Sequence, residues 1–339
     1  MARIALDVMG GDHAPEAPVA AALLAVQELA PSHELQLVGR EAVIREELSR
    51  QLVGASPMLR EAVSTFAIID APEVIEMTDK PSVAIRGKPN SSMAVGLRLQ
   101  ADGQSDAFVS AGNTGAQMAA STFILRLHAG LSRPAIATVL PTARQPVVML
   151  DAGANVDCAA AELVQFARLG HVFAKDILGR ATPAVGLLSI GEEAEKGNAA
   201  VKEAHQALLG AGLHFIGNVE GRDIPMGACD RGPIDVVVCD GFTGNVLLKF
   251  YESIAPMMYG LLKQVGVTKE QFGMAMQSLD YAKYGGAPLL GVNGTCLISH
   301  GSSVSRTMMN AVLRSRQFVL SGLNDIINTR LETIQEPTA

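Results

Sequence analysis

The chain has 339 residues and a formal net charge of −7, from 27 Lys and Arg against 34 Asp and Glu. That length carries one large α/β domain or two modest ones with a deep core. The negative balance argues against a general nucleic-acid binder, and the absence of Trp with only 4% aromatic residues argues against base-stacking platforms.

The opening stretch MARIALDVMGG has a single Arg and a very short apolar run, so it predicts a first strand rather than a signal peptide. Hydrophobic residues make up 48% of the chain, yet no uninterrupted run reaches the roughly 18 residues of a membrane span. A cytoplasmic protein is expected. Strands are predicted at Ile4–Met9, Leu35–Val38, Thr65–Ile69, Ala107–Ser110, Ile136–Leu140, Val147–Asp151, Val185–Ile190, His214–Ile216 and Asp235–Asp240. Helices are predicted between many of them, at Ala17–Leu29, Ala116–Leu127, Ala159–Ile177 and Ala199–Leu209. Strand, polar turn and helix in repetition specify a mostly parallel sheet with helices on both faces. Continuous runs such as VVML and DVVVCD suit strands buried on both sides.

No Pro/Ser-rich linker splits the chain, so residues 1–334 are expected to form a single α/β/α catalytic domain. Val246–Asp280 is predicted as two helices broken near Gly266–Thr268, an inserted hairpin rich in apolar residues. Its first reading is a dimer contact or core helices; its second is a lipid contact, with Lys263 and Lys269 beside it. Residues 335–339 read as a flexible tail. Cys158, Cys229, Cys239 and Cys296 are widely spaced with no CxxC, which favours buried small side chains over a metal or disulfide framework.

The chemistry concentrates at strand ends, where open α/β sheets bind ligands. There stand DVMGGDHAP, SAGNTGA, DAGANVD, SIGEEAEKGN, CDGFTGN, YGGAPLLG and SHGSS. Glycine lets backbone N–H groups approach an anion, and a helix N-terminus adds positive potential. Thr114 and Thr243 are expected both to cap helices and to meet an oxyanion. One such loop is an ordinary turn; several on one sheet edge point to a phosphate site. No nucleotide motif is present. The chain offers GNTG and GFTG, not GxGxxG, and in GEEAEKGN the spacing from Gly191 to Lys196 is one residue short of a P-loop.

DVMGGDHAP, SAGNTGA, DAGANVD, EKGN, DGFTGNVLLK and YGGAPLLG, in this order, resemble the bacterial acyl-carrier-protein:phosphate acyltransferase (PlsX) family from residue 3 to about 320. The resemblance implies a Rossmann-like three-layer α/β/α fold related to phosphotransacetylases. It implies transfer of a long-chain acyl group from acyl carrier protein to inorganic phosphate, without metal or nucleotide cofactor. It also implies a homodimer, peripheral association with the membrane, and delivery of acyl phosphate to a membrane glycerol-3-phosphate acyltransferase. The chemistry agrees. Phosphate is already a nucleophile and a thiolate leaves readily, so the protein must supply positioning and donors rather than a Ser/His/Asp triad.

Within that frame Lys196, a solvated lysine by composition alone, is assigned to oxyanion or phosphate stabilisation because it matches EKGN. Asn245 is assigned to the thioester carbonyl or phosphate, and His13 as a catalytic donor in a strand-end loop. Gly10, Gly11, Asp12, Ser110, Asn113, Thr114, Asn155, Asn198, Thr243, Gly244 and His300 complete the expected substrate or phosphate contacts. Asp7, Asp12, Asp151 and Asp157 would repel phosphate, so they are read as caps, loop braces or orienting groups; without a tight ligand cluster a Mg²⁺ site is disfavoured. Cys158, at an expected helix N-terminus where thiolates are stabilised, invites an acyl-cysteine intermediate but falls just outside the motif. Arg86, Lys88, Lys263 and Lys269 are the basic residues available to an acidic carrier protein. The alternatives are a phosphotransacetylase-like enzyme using acyl-coenzyme A and a non-catalytic membrane-associated scaffold; a nicotinamide dehydrogenase lacks its fingerprint.

Overall fold

The structure, a computed structural model, describes residues 1–29, 32–275 and 285–335. The end of the expected hairpin, 276–280, lies outside the described residues, as do Tyr284 of YGGAPLLG and residues 336–339 of the expected tail. The chain forms two compact units, Met1–Pro134 with Ala282–Asn328, and Ala135–Tyr281 with Thr329–Ala339.

In chain order the first unit begins with β1 (Arg3–Asp7), α1 (Glu16–Leu29), β2 (Glu34–Gly39), α2 (Glu41–Gln51), α3 (Pro57–Val63) and β3 (Ala67–Asp70). It continues through α4 (Pro81–Gly87), α5 (Ser92–Ala101), β4 (Ala107–Ser110) and α6 (Thr114–Ile124). The second unit holds β5 (Ala135–Ile136), β6 (Thr138–Leu140), β7 (Val147–Leu150), α7 (Ala160–Val172), β8 (Val185–Leu188), α8 (Ala199–Leu209) and β9 (Phe215–Val219). After them come α9 (Asp223–Met226), the ribbon strands β10 (Ala228–Cys229) and β11 (Gly232–Pro233), β12 (Val236–Val238), α10 (Gly241–Gln264) and α11 (Lys269–Ala275). The chain ends in β13 (Ala287–Leu290), β14 (Thr295–Ile298), α12 (Ser305–Ser321) and α13 (Leu323–Gln335).

In the first unit the strands lie in the order β3-β2-β1-β4-β14-β13, parallel except for the β13–β14 hairpin. In the second the order is β6-β7-β12-β8-β9, parallel except for β6 against β7. The central strands are wholly buried, as their unbroken apolar runs require. Small residues set how closely the helices seat. A Cβ at Gly96 of α5 would overlap the ring of Phe108 on β4, and one at Gly170 of α7 would stand 2.8 Å from Leu150 Cδ1. Arg3 meets Asp106 through three N–H groups, its backbone N–H and one guanidinium N–H at 2.7 Å and Nε at 3.2 Å, and pins the start of β1 to the turn before β4.

The α/β architecture and mostly parallel sheets agree with the sequence reading. The expected strand Ile136–Leu140 is broken at Ala137, and α7 ends in a π-turn over Phe173–Ile177 rather than running on as α-helix. The break between α10 and α11 falls at 265–268, where the sequence put it. However, α10 begins at Gly241 rather than Val246, so GFTGN forms its first turns. Among the described residues no helix is long and apolar enough to cross a membrane.

Candidate active site

In the first unit the loops cluster around Asp7 at the carboxyl end of β1. Its carboxylate accepts from Ser110 Oγ at 2.7 Å and from the Met9 N–H at 3.0 Å. Ser110 Oγ in turn accepts from the Gly112 N–H at 2.9 Å. Gly10 is needed where DVMGG meets SAGN, because a Cβ there would stand 2.7 Å from Asp7 Oδ2 and 2.8 Å from Gly112 N. The Asp12 N–H donates to Gly301 O at 2.8 Å, which draws the SHGSS turn to the same place. Gly10, Gly11, Asp12, Ser110 and the turn after His300 are thus brought together.

Their roles divide by exposure. Asp12, His13 and His300 are exposed, whereas Ser110 is fully buried and commits its hydroxyl proton to Asp7. Asn113 is buried too: its amide donates to Met77 O and Asp79 O, both at 3.1 Å, and its Oδ1 caps α6 by accepting from Ala116 N. Asn113 is therefore the cap and Thr114 the first helical residue, which corrects the sequence assignment. His300 Nδ1 lies 2.7 Å from Ser302 Oγ.

In the second unit a buried carboxylate does the same work. Asp151 follows β7 and receives five N–H groups, from Ile136 N, Gly153 N, Ala154 N, Asn155 N and Asn155 Nδ2, at 2.6–3.2 Å. Burial pushes its carboxyl up from the ordinary range, and those donors hold the anion against that push. The DAGANV loop so fixed seats the first turn of α10. Asn155 O accepts from Gly241 N at 2.7 Å, and a Cβ at Gly244 would overlap Asp151 O. Asn155 and Gly244 thus fix where α10 starts.

Asp240 caps α10: its Oδ1 accepts from Thr243 N at 2.8 Å and its Oδ2 from Thr243 Oγ1 at 2.9 Å. The sequence reading gave the cap to Thr243; the structure gives it to Asp240, which also takes the threonine's proton. An Asp directly before a helix-starting run is the residue type that signals this. Asn245 is exposed on the next turn, its side chain packed 3.4–3.5 Å from where a Cβ on Gly153 would stand.

Lys196 is exposed in the loop between β8 and α8. That loop is anchored by a pair the sequence reading missed: Asn218, wholly buried, donates to Glu193 O at 2.7 Å while its Oδ1 lies 2.8 Å from His205 Nδ1. Arg231 adds an ion pair to Glu192 at 3.0 Å. The Lys196 N–H closes the turn on Glu193 O at 3.0 Å, and Gly197, at φ +103°, adopts a backbone that favours glycine. Asn198 then caps α8 by accepting from Val201 N at 2.9 Å, leaving its amide donors exposed.

Burial, with Asp151, Glu162 and Asp240 nearby, pushes the Cys158 thiol up to about 12, opposite in direction to the stabilised thiolate expected of a helix N-terminus. Cys239 is buried and raised for the same reason.

A model of the fatty acid synthesis protein family matches residues 2–325. The chain is 45% identical over 342 residues to a phosphate acyltransferase of Desulforamulus reducens, with 98% of each chain covered. This chain belongs to the fatty acid synthesis protein family. It is an acyltransferase, and a second relative of that name, from Pelotomaculum thermopropionicum, is 44% identical over 98% of this chain and 96% of its own. A phosphotransacetylase from Streptococcus pyogenes shares the fold at TM-score 0.61 and 18% identity, over 94% of both chains. The EutD phosphotransacetylase from Staphylococcus aureus does so at 0.59 and 16%, also over 94% of both. The expected phosphotransacetylase-like fold is therefore present in this member of the fatty acid synthesis protein family.

The loop carboxylates carry a pH signature. Burial raises Asp7, so the folded chain keeps its proton at pH values where the unfolded chain has lost it. Its contribution to stability falls as pH rises from the ordinary carboxylate range through the raised folded value. Thermal unfolding of the parent and of Asp7→Asn, compared at about pH 4 and about pH 7, is expected to show the parent losing ground to the variant at the higher pH.

Proposed function

We propose that this acyltransferase moves a long-chain acyl group from acyl carrier protein to inorganic phosphate and releases acyl phosphate for phospholipid synthesis. The observation that carries the reading is the near full-length likeness to relatives named phosphate acyltransferase. The strand-end loops support it, because they present N–H donors rather than an activated nucleophile.

A phosphate oxygen attacks the thioester carbonyl carbon. The carbon–sulfur bond breaks, its electron pair leaves on sulfur, and the proton of hydrogen phosphate ends on the carrier thiol. Lys196, the exposed Asn198 amide and the N-terminus of α8 hold the phosphate by charge and by N–H donation. Asn245 donates to the carbonyl oxygen as negative charge develops there. In the first unit His13 and the backbone at Gly10 and Gly11 offer donors of the same kind. Direct attack needs no enzyme thiol, which agrees with the raised Cys158.

Purified protein incubated with long-chain acyl carrier protein and phosphate, with hydroxylamine as the trap, is expected to give phosphate-dependent hydroxamate. Failure of phosphate to release the carrier thiol would sink the reading, and preference for acyl-coenzyme A would favour a phosphotransacetylase-like activity. Lys196→Ala is expected to lower the rate by about 10²–10³-fold. Cys158→Ala is expected to stay active; its complete inactivity, with circular dichroism unchanged, would put an acyl-cysteine on the path.

The α10–α11 hairpin serves as a peripheral membrane or dimer contact. Met257, Leu261 and Val265 are exposed on it, with Lys263 and Lys269 beside them. Changing Leu261 and Leu262 together to Asp is expected to abolish co-sedimentation with anionic vesicles, and unchanged binding would locate the contact elsewhere.

A further inference from the structure

Two clefts open beside the N-terminus of α10. One, of about 410 Å³, has a polar lining that includes Asp157, Cys158, Asn198, Asp240 and Thr243. The other, of about 550 Å³, is walled by Leu188 and Ile190 at the end of β8, Val201 on α8, and Val246, Leu247 and Phe250 on α10. Asn198, Asp240 and Thr243 line both. The larger cleft therefore has a polar mouth and an apolar run leading away from it.

On α10 the residues Thr243, Val246, Leu247 and Phe250 follow the i, i+3, i+4, i+7 spacing of one helix face. Several of these apolar walls stand open: Ile190 is 83% exposed, Val246 55% and Phe250 60%. The cleft also includes Ser189, whose buried Oγ has no hydrogen-bond partner among the described residues. A polar mouth beside unpacked apolar side chains marks a place for a ligand with both characters.

We infer that this cleft receives the alkyl chain of the acyl substrate, with the thioester at the Asn198–Thr243 mouth and the first methylenes along Val246, Leu247 and Phe250. The inference rests on the acyl-transfer reading and adds to it a chain-binding wall and the residues that set chain preference. An acyl thioester has the matching shape: one polar reacting end and a tail that gains affinity with each methylene buried. Each buried methylene is worth about fourfold in binding. Leu247→Trp fills the groove and Phe250→Ser removes part of its wall.

The test compares palmitoyl and butyryl carrier protein as donors for the parent and both variants. Each variant is expected to lose about tenfold or more in kcat/KM for palmitoyl, with butyryl within about twofold. If the parent turns over and the variants lose both donors equally, or neither, the inference is overturned while the acyl-transfer reading stands. If the parent does not turn over, that reading fails. The cleft is then judged by calorimetry with a palmitoyl-pantetheine thioether: weaker binding to Leu247→Trp sustains it and equal binding overturns it. A change of mass in light scattering for Phe250→Ser, with the donor preference unmoved, would assign the groove to a second copy of this chain and also overturn the inference.

Discussion

The second unit's strand-end loop is organised by one buried carboxylate. Asp151 sits where β7 ends, on a strand buried along its whole length, so water cannot solvate its charge. An anion in that position is tolerated only when donors replace the lost water. Five N–H groups do so, and four of them come from the next four residues. Satisfying the charge therefore forces DAGANV into a tight turn, and the outer side of that turn is where α10 begins. Asp7 solves the same problem in the first unit with fewer backbone donors and a serine relay to Gly112.

Three of the loop aspartates are engaged within the fold. Asp7 turns inward onto the Met9 N–H and the Ser110 hydroxyl, and Asp151 onto five N–H groups. Asp240 is spent on the cap of α10 and on Thr243. Lys196, Asn198 and Asn245 stay exposed in the second unit, and so do the acidic side chains of Asp157 and Glu195.

The parts of this legible in sequence are those in which residue type records a local constraint. Buried parallel strands need unbroken apolar runs, so VVML and DVVVC were readable. Close approaches need glycine, so the strand-end loops were readable as loops. The β13–β14 hairpin was not, because Pro288 breaks the first run and TCLI is too short to show a period. Nor was the division into two units, since the chain passes at Pro134–Ala135 without a linker. The protein partners of Ser110 and Asn113 were not readable because they are remote: Asp7 lies 103 residues away, and the carbonyls of Met77 and Asp79 belong to another loop. Sequence shows that a side chain has a proton to give, and only the fold shows where it goes.

The same distinction explains α10. It spans 24 residues, yet its buried residues are Gly241 and Gly244, both in its first turn. Those glycines are needed to bring its backbone against Asp151 and Asn155, and they contribute almost no apolar burial. Helices gain most of their stability in proteins from a covered apolar face. Here that face is open at Val246, Phe250, Met257 and Leu261. Packing within its own unit accounts for where α10 starts, not for its length or its exposed apolar stripe. In the proposed reading its first turns meet an alkyl chain and its later turns a membrane or a second copy, and each partner would cover what the fold leaves bare.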